Sequence, residues 1–310
     1  MRAGVVGTGG WGKNHLRVLN ELGVLSCFAE IDGQKRKFYS SKYSVKGYAS
    51  LDEMLKQNDL NTVSVCTPTV THYELAEKTI SAGVATLVEK PLTYSSKDGE
   101  SLVQLAADKK VPLTVGFIER FNPAISELKQ IIQQKVLGDP MLLEFHRENR
   151  WAGSIRDVGV VLDTSVHDID TARWLFDSEP GIVFARTGKV VSQHEDFATI
   201  ILGFDGQKTA FLVSNWVTPK RVRELVAVCT SGTLTADYIT QEIRIDDSEG
   251  TQIPRRQWQE PLMIELKSFL EAVEQKKQPL VTGKDGVNTT KIAEAALSSS
   301  EKGVPIYMNL

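Results

Sequence analysis

A histidine with carboxylates on both sides lies near the middle of the chain, in the run DTSVHDID at positions 163–170. In an α-helix, Asp163, His167 and Asp170 would fall at i, i+4 and i+7 and share one face. Histidine has an unperturbed pKa of about 6.5, so it can accept a proton near neutral pH. Asp163 would bind the substrate hydroxyl or orient the imidazole, while Asp170 would pair with Arg173. The pattern predicts acid/base chemistry. The alternative is a structural histidine in a helix, whose ring nitrogens hydrogen-bond to the neighbouring acids.

A second candidate for the proton transfer is Lys90, which lies between Glu89 and Pro91. A lysine cation can stabilise a developing alkoxide, and a neutral lysine amine can act as a base. The residues leave open whether Lys90 or His167 is the proton acceptor.

A glycine pattern close to the N-terminus predicts a nucleotide site. Gly7, Gly9 and Gly12 follow an apolar strand pattern and open a helical one. The first glycine allows a tight turn, the second lets a pyrophosphate approach the backbone, and the third lets the helix pack on the strand. The helix N-terminus would then hold the anion.

The choice of cofactor depends on Glu30, which ends the second predicted strand eighteen residues after Gly12. A carboxylate at this point accepts hydrogen bonds from the adenosine ribose hydroxyls and repels a 2'-phosphate. Lys35 and Arg36 lie close by and weaken this preference. We therefore expect NAD, with NADP the less favoured cofactor.

Two domains are expected in a chain of 310 residues. Before residue 119, short apolar runs alternate with helical patterns, which is typical of a parallel, doubly wound sheet. Strands are predicted at 4–6, 24–31, 63–66, 85–88 and 112–115, and helices near 12–22, 51–56, 73–81 and 96–109.

After residue 122 the pattern changes to strands that follow one another directly. The predicted elements are a helix at 124–134, a strand at 141–146, a run of strands over 182–245 with a hairpin at 204–207, and helices at 262–275 and 287–302. Because no helix interrupts the long run, its strands should be mostly antiparallel. The predicted division is 1–118 and 119–310.

Composition excludes several classes of function. The net charge is −3, and no cluster of basic residues with interleaved aromatic residues predicts a nucleic-acid partner. No apolar run approaches the ~18 residues of a membrane helix, and the N-terminal strand pattern leaves no room for a signal peptide. The three cysteines lack metal-ligand spacing and suit reduced thiols. We expect a cytoplasmic protein without a metal or a membrane partner.

These motifs together resemble the glucose-fructose oxidoreductase and inositol dehydrogenase family, Gfo/Idh/MocA. The resemblance covers nearly the whole chain and rests on the glycine fingerprint, VCTPTVTH at 65–72, EKP at 89–91, Asp163 with His167, and Asp285-Gly286. It implies an α/β protein with an N-terminal doubly wound Rossmann domain for NAD over 1–118. A C-terminal α+β domain over 119–310, with a large mostly antiparallel sheet, would bind substrate and form oligomers.

The resemblance also implies roles for individual residues. Lys90, Asp163 and His167 would be catalytic, and the Lys90–Pro91 bond would be cis. The implied cofactor-binding residues are Gly7, Gly9, Gly10, Trp11, Gly12, Glu30, Thr67, Pro68, His72, Glu89 and Lys90. For His72, a structural role at the start of a helix is the alternative.

Residues 115–124 and 156–163 look like one branch of the family, which oxidises UDP-linked N-acetylhexosamines or their uronic acids at C3. Phe117 departs from this pattern, since that branch often has histidine there. A diphosphate needs cations, for which Arg120, Arg150 and Arg156 are candidates, although all three could be solvated surface residues. The substrate-binding prediction comprises Arg120, Asn122 and Arg156.

Two other functions remain open at this point. One is a dehydrogenase of a free sugar or inositol with the same catalytic residues. The other is a non-catalytic NAD-binding redox sensor, against which the presence of Lys90, Asp163 and His167 argues. The resemblance also implies a homodimer or homotetramer joined through the C-terminal sheet.

Overall fold

The computed structural model describes residues 1–150, 153 and 157–310. Within these residues the helices are α1 (Gly12–Glu21), α2 (Gly33–Tyr43), α3 (Leu51–Gln57), α4 (His72–Ser81), α5 (Ser96–Lys109), α6 (Pro123–Gln133), α7 (Val166–Phe176), α8 (Pro261–Glu274) and α9 (Gly283–Lys302). Short 3-10 turns lie at Thr69–Thr71 and Ile118–Phe121, and a π-helical turn lies at Val161–Ser165.

The strands are β1 (Ala3–Val6), β2 (Leu25–Ala29), β3 (Lys46–Tyr48), β4 (Thr62–Val65), β5 (Ala85–Val88), β6 (Leu113–Val115), β7 (Pro140–Arg150), β8 (Ile182–Gly188), β9 (Phe197–Gly203), β10 (Thr209–Asn215), β11 (Val217–Cys229), β12 (Gly232–Asp237), β13 (Ile243–Asp247), β14 (Gly250–Gln252) and β15 (Ile306–Tyr307).

The chain divides into two compact units. The first contains residues 1–117 and 262–287, and the second contains residues 118–261 and 288–310. The division predicted from the sequence had one boundary, after residue 118, and stays a prediction about the domains. The compact units differ from it at residue 118 and in the segment 262–287.

The first unit contains a six-stranded parallel sheet in the order β3-β2-β1-β4-β5-β6. Every residue of β1, β4 and β5 is buried, as expected for strands with helices on both faces. The predicted doubly wound α/β fold is confirmed. Because the strands are parallel, the loops that follow β1, β4 and β5 lie at the same edge of the sheet, which is where such folds bind ligands.

Helix α2 and strand β3 were missed by the sequence analysis. No residue of α2 is buried, so the helix lacks the apolar stripe by which periodicity identifies a helix. Its start is nevertheless encoded locally, because Asp32 Oδ1 accepts hydrogen bonds from the N–H groups of Gln34 and Lys35.

The second unit contains a nine-stranded sheet in the order β14-β13-β12-β11-β7-β10-β9-β8-β15. Strands β7 and β10 pair in parallel, and the other neighbours pair antiparallel, which confirms the mostly antiparallel prediction. The predicted hairpin joins β9 to β10, where the Phe204 N–H donates to the Lys208 carbonyl at 2.9 Å. Gly206, with φ of +71°, supplies the left-handed conformation of this turn.

Candidate functional site

The glycine loop after β1 has the close packing that a dinucleotide loop requires. A Cβ on Gly12 would lie 2.0 Å from the Gly7 carbonyl oxygen, so only glycine lets α1 start against this turn. Gly7 has φ of +83°, and a Cβ there would lie 2.7 Å from the Cys66 carbonyl oxygen. By contrast, a Cβ on Gly9 or Gly10 would have no heavy atom of the described chain within 4 Å. This open cradle at the start of α1 fits a pyrophosphate.

Glu30, directly after β2, ties the glycine loop to the second strand. Its Oε2 accepts from the Thr8 N–H at 2.9 Å and the Thr8 hydroxyl at 2.5 Å, and its Oε1 accepts from the Asp32 N–H at 2.9 Å. Although burial opposes ionisation, these donors at Asp32 and Thr8 hold the pKa of Glu30 below its ordinary value. A fixed negative charge fits ribose hydroxyls and disfavours a 2'-phosphate.

Arg36, one of the two cations that weakened the preference for NAD, donates hydrogen bonds to backbone carbonyl groups of this chain. Its Nη1 donates to the carbonyl oxygens of Glu30 at 2.6 Å and Ile31 at 3.2 Å. These hydrogen bonds from the guanidinium stabilise the backbone directly after β2.

His72 connects the two loops that follow β4 and β5. Its Nδ1 lies 2.8 Å from the Pro91 carbonyl oxygen, and its Nε2 lies 2.9 Å from the Thr67 carbonyl oxygen. The ring is buried, with 1% of its surface exposed. A neutral imidazole has one N–H and an imidazolium has two, so both contacts are hydrogen bonds only in the charged form. His72 thus has a structural role that the sequence analysis had weighed against contact with the cofactor.

Lys90 lies on the loop after β5 and is half-buried. The Lys90–Pro91 bond is cis, as the family resemblance implied. The Lys90 N–H donates to Glu89 Oε2 at 3.2 Å, and Glu89 Oε1 lies 2.8 Å from His15 Nε2. Gly116 leaves room for this carboxylate, because a Cβ there would approach it to 2.9 Å. Lys90 is therefore anchored through Glu89 on one side and, through Pro91, by His72 on the other.

His15 is the main residue of this cluster that sequence reasoning left without a role. The His15 side chain is fully buried. Its position on the inner face of α1 was visible as a helical period, but its partner Glu89 is 74 residues away.

Burial raises the pKa of the Cys66 thiol well above its ordinary value, and the carboxylates of Glu89 and Glu265 add to this effect.

Asp163 and His167 lie at the start of the predicted catalytic helix in the second unit, and both are half-buried. The prediction of one regular α-helix through this run is wrong, because Asp163 lies in the π-helical turn and α7 begins at Val166. Single π turns of this kind are frequent at functional sites. The hydroxyl of Thr164 donates to Asp163 Oδ2 at 3.0 Å.

The other two acids of the run belong to buried ion pairs. Asp170 binds Arg120 through both oxygens, at 2.7 Å to Nε and 2.6 Å to Nη2, and it lies 3.5 Å from Arg173 Nη1. Asp168 accepts from Arg147 Nε at 2.9 Å. Burial alone would lower the pKa of Arg147, but the nearby carboxylates raise it, so the guanidinium stays charged. Of the three acids in this run, Asp163 alone is half-buried.

The predicted substrate-binding residues are found in different surroundings. Arg120 is buried in its pair with Asp170, and Asn122 is buried while it caps α6 and donates to the Tyr238 carbonyl at 3.0 Å. Arg156 lies outside the described residues. Arg150, the other candidate for a diphosphate, is exposed at the end of β7. The substrate assignments of Arg120 and Asn122 stay predictions, and the structure gives both residues a structural role as well.

The Asp285-Gly286 pair, which is part of the family resemblance, makes local contacts at the start of α9. Asp285 Oδ2 accepts from the Thr282 N–H at 2.8 Å and the Thr282 hydroxyl at 2.7 Å, and the Asp285 N–H donates back at 3.1 Å. A Cβ on Gly286 would lie 2.7 Å from Val115. This motif therefore packs the start of α9 and is explained by structure alone.

In the described part of the chain, no helix is long and apolar enough to cross a membrane. Among the same residues, no group of three His, Cys, Asp or Glu side chains is arranged to hold a metal ion.

Comparison with known proteins identifies the class to which this fold and loop belong. Residues 1–117 match the oxidoreductase family with an NAD-binding Rossmann fold, and residues 125–235 match the GFO/IDH/MocA C-terminal domain. The chain belongs to the Gfo/Idh/MocA family and is an NAD-dependent oxidoreductase that acts on CH–OH groups.

Several relatives align over nearly their full length. A UDP-N-acetylglucosamine 3-dehydrogenase from Acidithiobacillus ferrooxidans is 26% identical over 96% of this chain and 95% of its own. A solved structure of that name and organism covers 97% of this chain and 98% of its own, with a TM-score of 0.90 and 25% identity. A myo-inositol 2-dehydrogenase from Thermotoga maritima is 25% identical over 97% of each chain.

Proposed function

We propose that the protein oxidises a secondary hydroxyl of a sugar with NAD, and that its substrate is a UDP-N-acetylhexosamine or its uronic acid, oxidised at C3. The observation that carries the proposal is the arrangement at the carboxyl edge of the parallel sheet. There the open glycine cradle and the charged Glu30 accompany a lysine, Lys90, whose neighbours on both sides are anchored by buried side chains. A binding protein without turnover would not need a lysine held in this way.

The proposed chemistry assigns the proton to residues of this chain. NAD held by the glycine cradle and Glu30 would supply the acceptor for the hydride of the carbinol carbon. Lys90 or His167 takes the hydroxyl proton, and the charge of Lys90 stabilises the developing alkoxide. Asp163 binds the hydroxyl or orients the imidazole. The joint role of these three residues comes from the family resemblance.

The UDP-sugar part of the proposal is supported by the near full-length similarity to the Acidithiobacillus enzyme. Of the two candidate arginines that the structure describes, Arg120 is buried and Arg150 is exposed. The second candidate substrate is an inositol or free sugar, which the similarity to inositol dehydrogenases favours.

A turnover assay separates these substrates. Purified protein with NAD is mixed with UDP-N-acetylglucosamine, UDP-N-acetylgalactosamine, their uronic acids, free N-acetylglucosamine, glucose and myo-inositol, and NADH formation is followed. We expect turnover with a UDP-sugar and little with the free sugars. Turnover with inositol or a free sugar alone would transfer the proposal to the second candidate. Lys90→Met should abolish the signal, whereas Lys135→Met, at a surface lysine whose side chain is 68% exposed, should not.

We also propose a homo-oligomer formed through the nine-stranded sheet. One row of half-buried or exposed side chains crosses five neighbouring strands in register, and four of its five members are apolar: Phe184, Ile201, Phe211, Glu144 and Val226. The residues that alternate with them face the core and are buried. A second copy of the chain would cover this row.

Light scattering after size exclusion tests this assembly. Phe211→Glu should convert an oligomer into a monomer, because it places a charge in the centre of the row. Phe38→Glu is the matched control, since Phe38 is 59% exposed on α2 in the other unit. A wild-type protein that runs as a monomer would contradict the proposal.

A further inference from the structure

Thr164 lies in the π-helical turn next to Asp163 and is held between two polar side chains. Its hydroxyl oxygen lies 3.1 Å from Trp216 Nε1 and 3.0 Å from Asp163 Oδ2. Thr164 is 4% exposed and Trp216 is 2% exposed, whereas Asp163 is half-buried. The contact therefore runs from the core of the second unit outward to the predicted catalytic carboxylate.

The chemistry of the indole sets the direction of these hydrogen bonds. An indole N–H can only donate, so the Thr164 oxygen must accept from Trp216. A hydroxyl has one proton, which is then left for Asp163 Oδ2. Asp163 consequently meets this contact as an acceptor, through Oδ2. A threonine without the tryptophan could turn its proton towards a backbone carbonyl instead.

Trp216 is itself held by the ends of the central strands. It lies between β10 and β11, and its backbone N–H donates to the Asp196 carbonyl at 2.8 Å. The buried Asp196 carboxylate accepts from the N–H groups of Val190, Val191 and Ser192. The indole that donates to Thr164 is thus buried and hydrogen-bonded at the junction of β10 and β11, which sets the position of the Thr164 hydroxyl beside Asp163.

We propose that Thr164 and Trp216 are positioning residues that orient Asp163 for the oxidation of the substrate hydroxyl. This inference rests on the proposed function. Thr164 and Trp216 do not act on a reacting atom directly, because both act through the Asp163 carboxylate. The competing explanation is that Thr164 only satisfies the buried indole N–H and matters for stability alone.

Four variants distinguish positioning from stability: Thr164→Val, Thr164→Ser, Trp216→Phe and the double variant Thr164→Val/Trp216→Phe. Thr164→Val keeps the shape but removes the hydroxyl, which leaves the indole N–H unsatisfied and should lower Tm. The double variant removes both polar groups, so its Tm should recover towards that of wild type. Thr86→Val is the matched control, because Thr86 is a fully buried threonine whose hydroxyl donates to Thr79 at 2.8 Å.

The readout is kcat and KM with the substrate that wild type turns over, together with Tm for every variant. A hydrogen bond to a charged group corresponds to at least about a tenfold effect, so Thr164→Val should lower kcat about tenfold or more and leave the KM for NAD unchanged. Thr164→Ser should stay within about threefold of wild type, because it keeps the donor. Trp216→Phe should lower kcat by a smaller factor than Thr164→Val. The double variant should remain about as slow as Thr164→Val although its Tm recovers.

Recovery of kcat together with Tm in the double variant would overturn the inference, and so would a Thr164→Val variant with wild-type kcat. Should Thr164→Val fail to fold, the double variant takes its place, since it leaves no buried donor unsatisfied. If wild type oxidises none of the CH–OH substrates, the proposed function and this inference both fail. If wild type is active and Thr164→Val matches it, the inference alone fails. Thr86→Val should lower Tm without changing kcat.

Discussion

Replacement of His72 tests whether this residue binds the cofactor or positions Lys90. The ring is buried, and its two nitrogens reach the carbonyl oxygens of Pro91 and Thr67. His72→Leu removes the ring nitrogens that lie at hydrogen-bond distance from both oxygens. Because an unsatisfied buried polar group costs about 1–3 kcal/mol, the free energy of unfolding should fall by at least that amount.

The amide side chains separate the two contacts. The Asn Nδ2 takes roughly the place of His72 Nδ1 and can donate to Pro91, whereas the Gln Nε2 takes the place of Nε2 and can donate to Thr67. Each variant should lose about 1–3 kcal/mol of stability. The Pro91 carbonyl directly follows Lys90, and displacement of a catalytic group by about 1 Å can cost about 10²-fold in rate. We therefore expect His72→Asn to retain more kcat than His72→Gln at similar stability.

Urea unfolding gives the stabilities, and initial rates at varied NAD and substrate give kcat and KM. His146→Asn is the control, because the His146 side chain is 40% exposed and pairs with Glu148 alone among the described contacts that involve its ring. The reasoning is refuted if His72→Gln turns over as fast as His72→Asn or faster. A rise in the KM for NAD with unchanged kcat would instead assign His72 to the cofactor.

Three further outcomes are expected. Glu30→Gln should weaken NAD binding by about 1.5–3 kcal/mol, since a charge-assisted hydrogen bond is lost, and should weaken NADP less; isothermal titration that finds equal losses would contradict the ribose assignment. His167→Asn and Lys90→Met should each lower kcat by about 10²- to 10⁴-fold, and because they share one transition state the double variant should be far less impaired than the product of the single effects; a wild-type rate in one of them would assign the proton to the other. Burial raises the pKa of the Cys27 thiol from 9.0 to about 11, so the folded protein keeps this thiol protonated at pH values where the unfolded chain loses the proton. The stability that the buried thiol contributes is therefore complete below pH 9 and is lost as the pH rises towards 11. The free energy of unfolding measured across this range should fall less in Cys27→Ala than in wild type, and an equal fall would contradict the assignment.

Local patterns in the sequence were sufficient for the class of fold. The alternation of apolar strands and helical periods predicted the parallel sheet, and the long run without a helix predicted the antiparallel one. The glycine spacing was equally informative, because Gly7 and Gly12 are required by backbone geometry within a single turn. Helix α2 was missed because a helix with no buried face leaves no periodic pattern of apolar residues in the sequence.

The surroundings of each candidate residue were decided by tertiary structure. His15 meets Glu89 across 74 residues, and Arg120 meets Asp170 across 50, so no local pattern could pair them. The same run that suggested a histidine between acids contains one half-buried carboxylate, Asp163, while Asp170 is taken up by the distant Arg120.

The π-helical turn has the same origin. A sequence specifies which residues recur on one face of an ideal helix, but a one-residue bulge depends on what packs against it. Here Trp216, 52 residues further along the chain, donates to Thr164 inside that turn. The sequence by itself therefore determined which chemical groups are available and which class of fold carries them. The partners that charge, orient or bury those groups were decided by the folded strands, because they come from distant parts of the sequence.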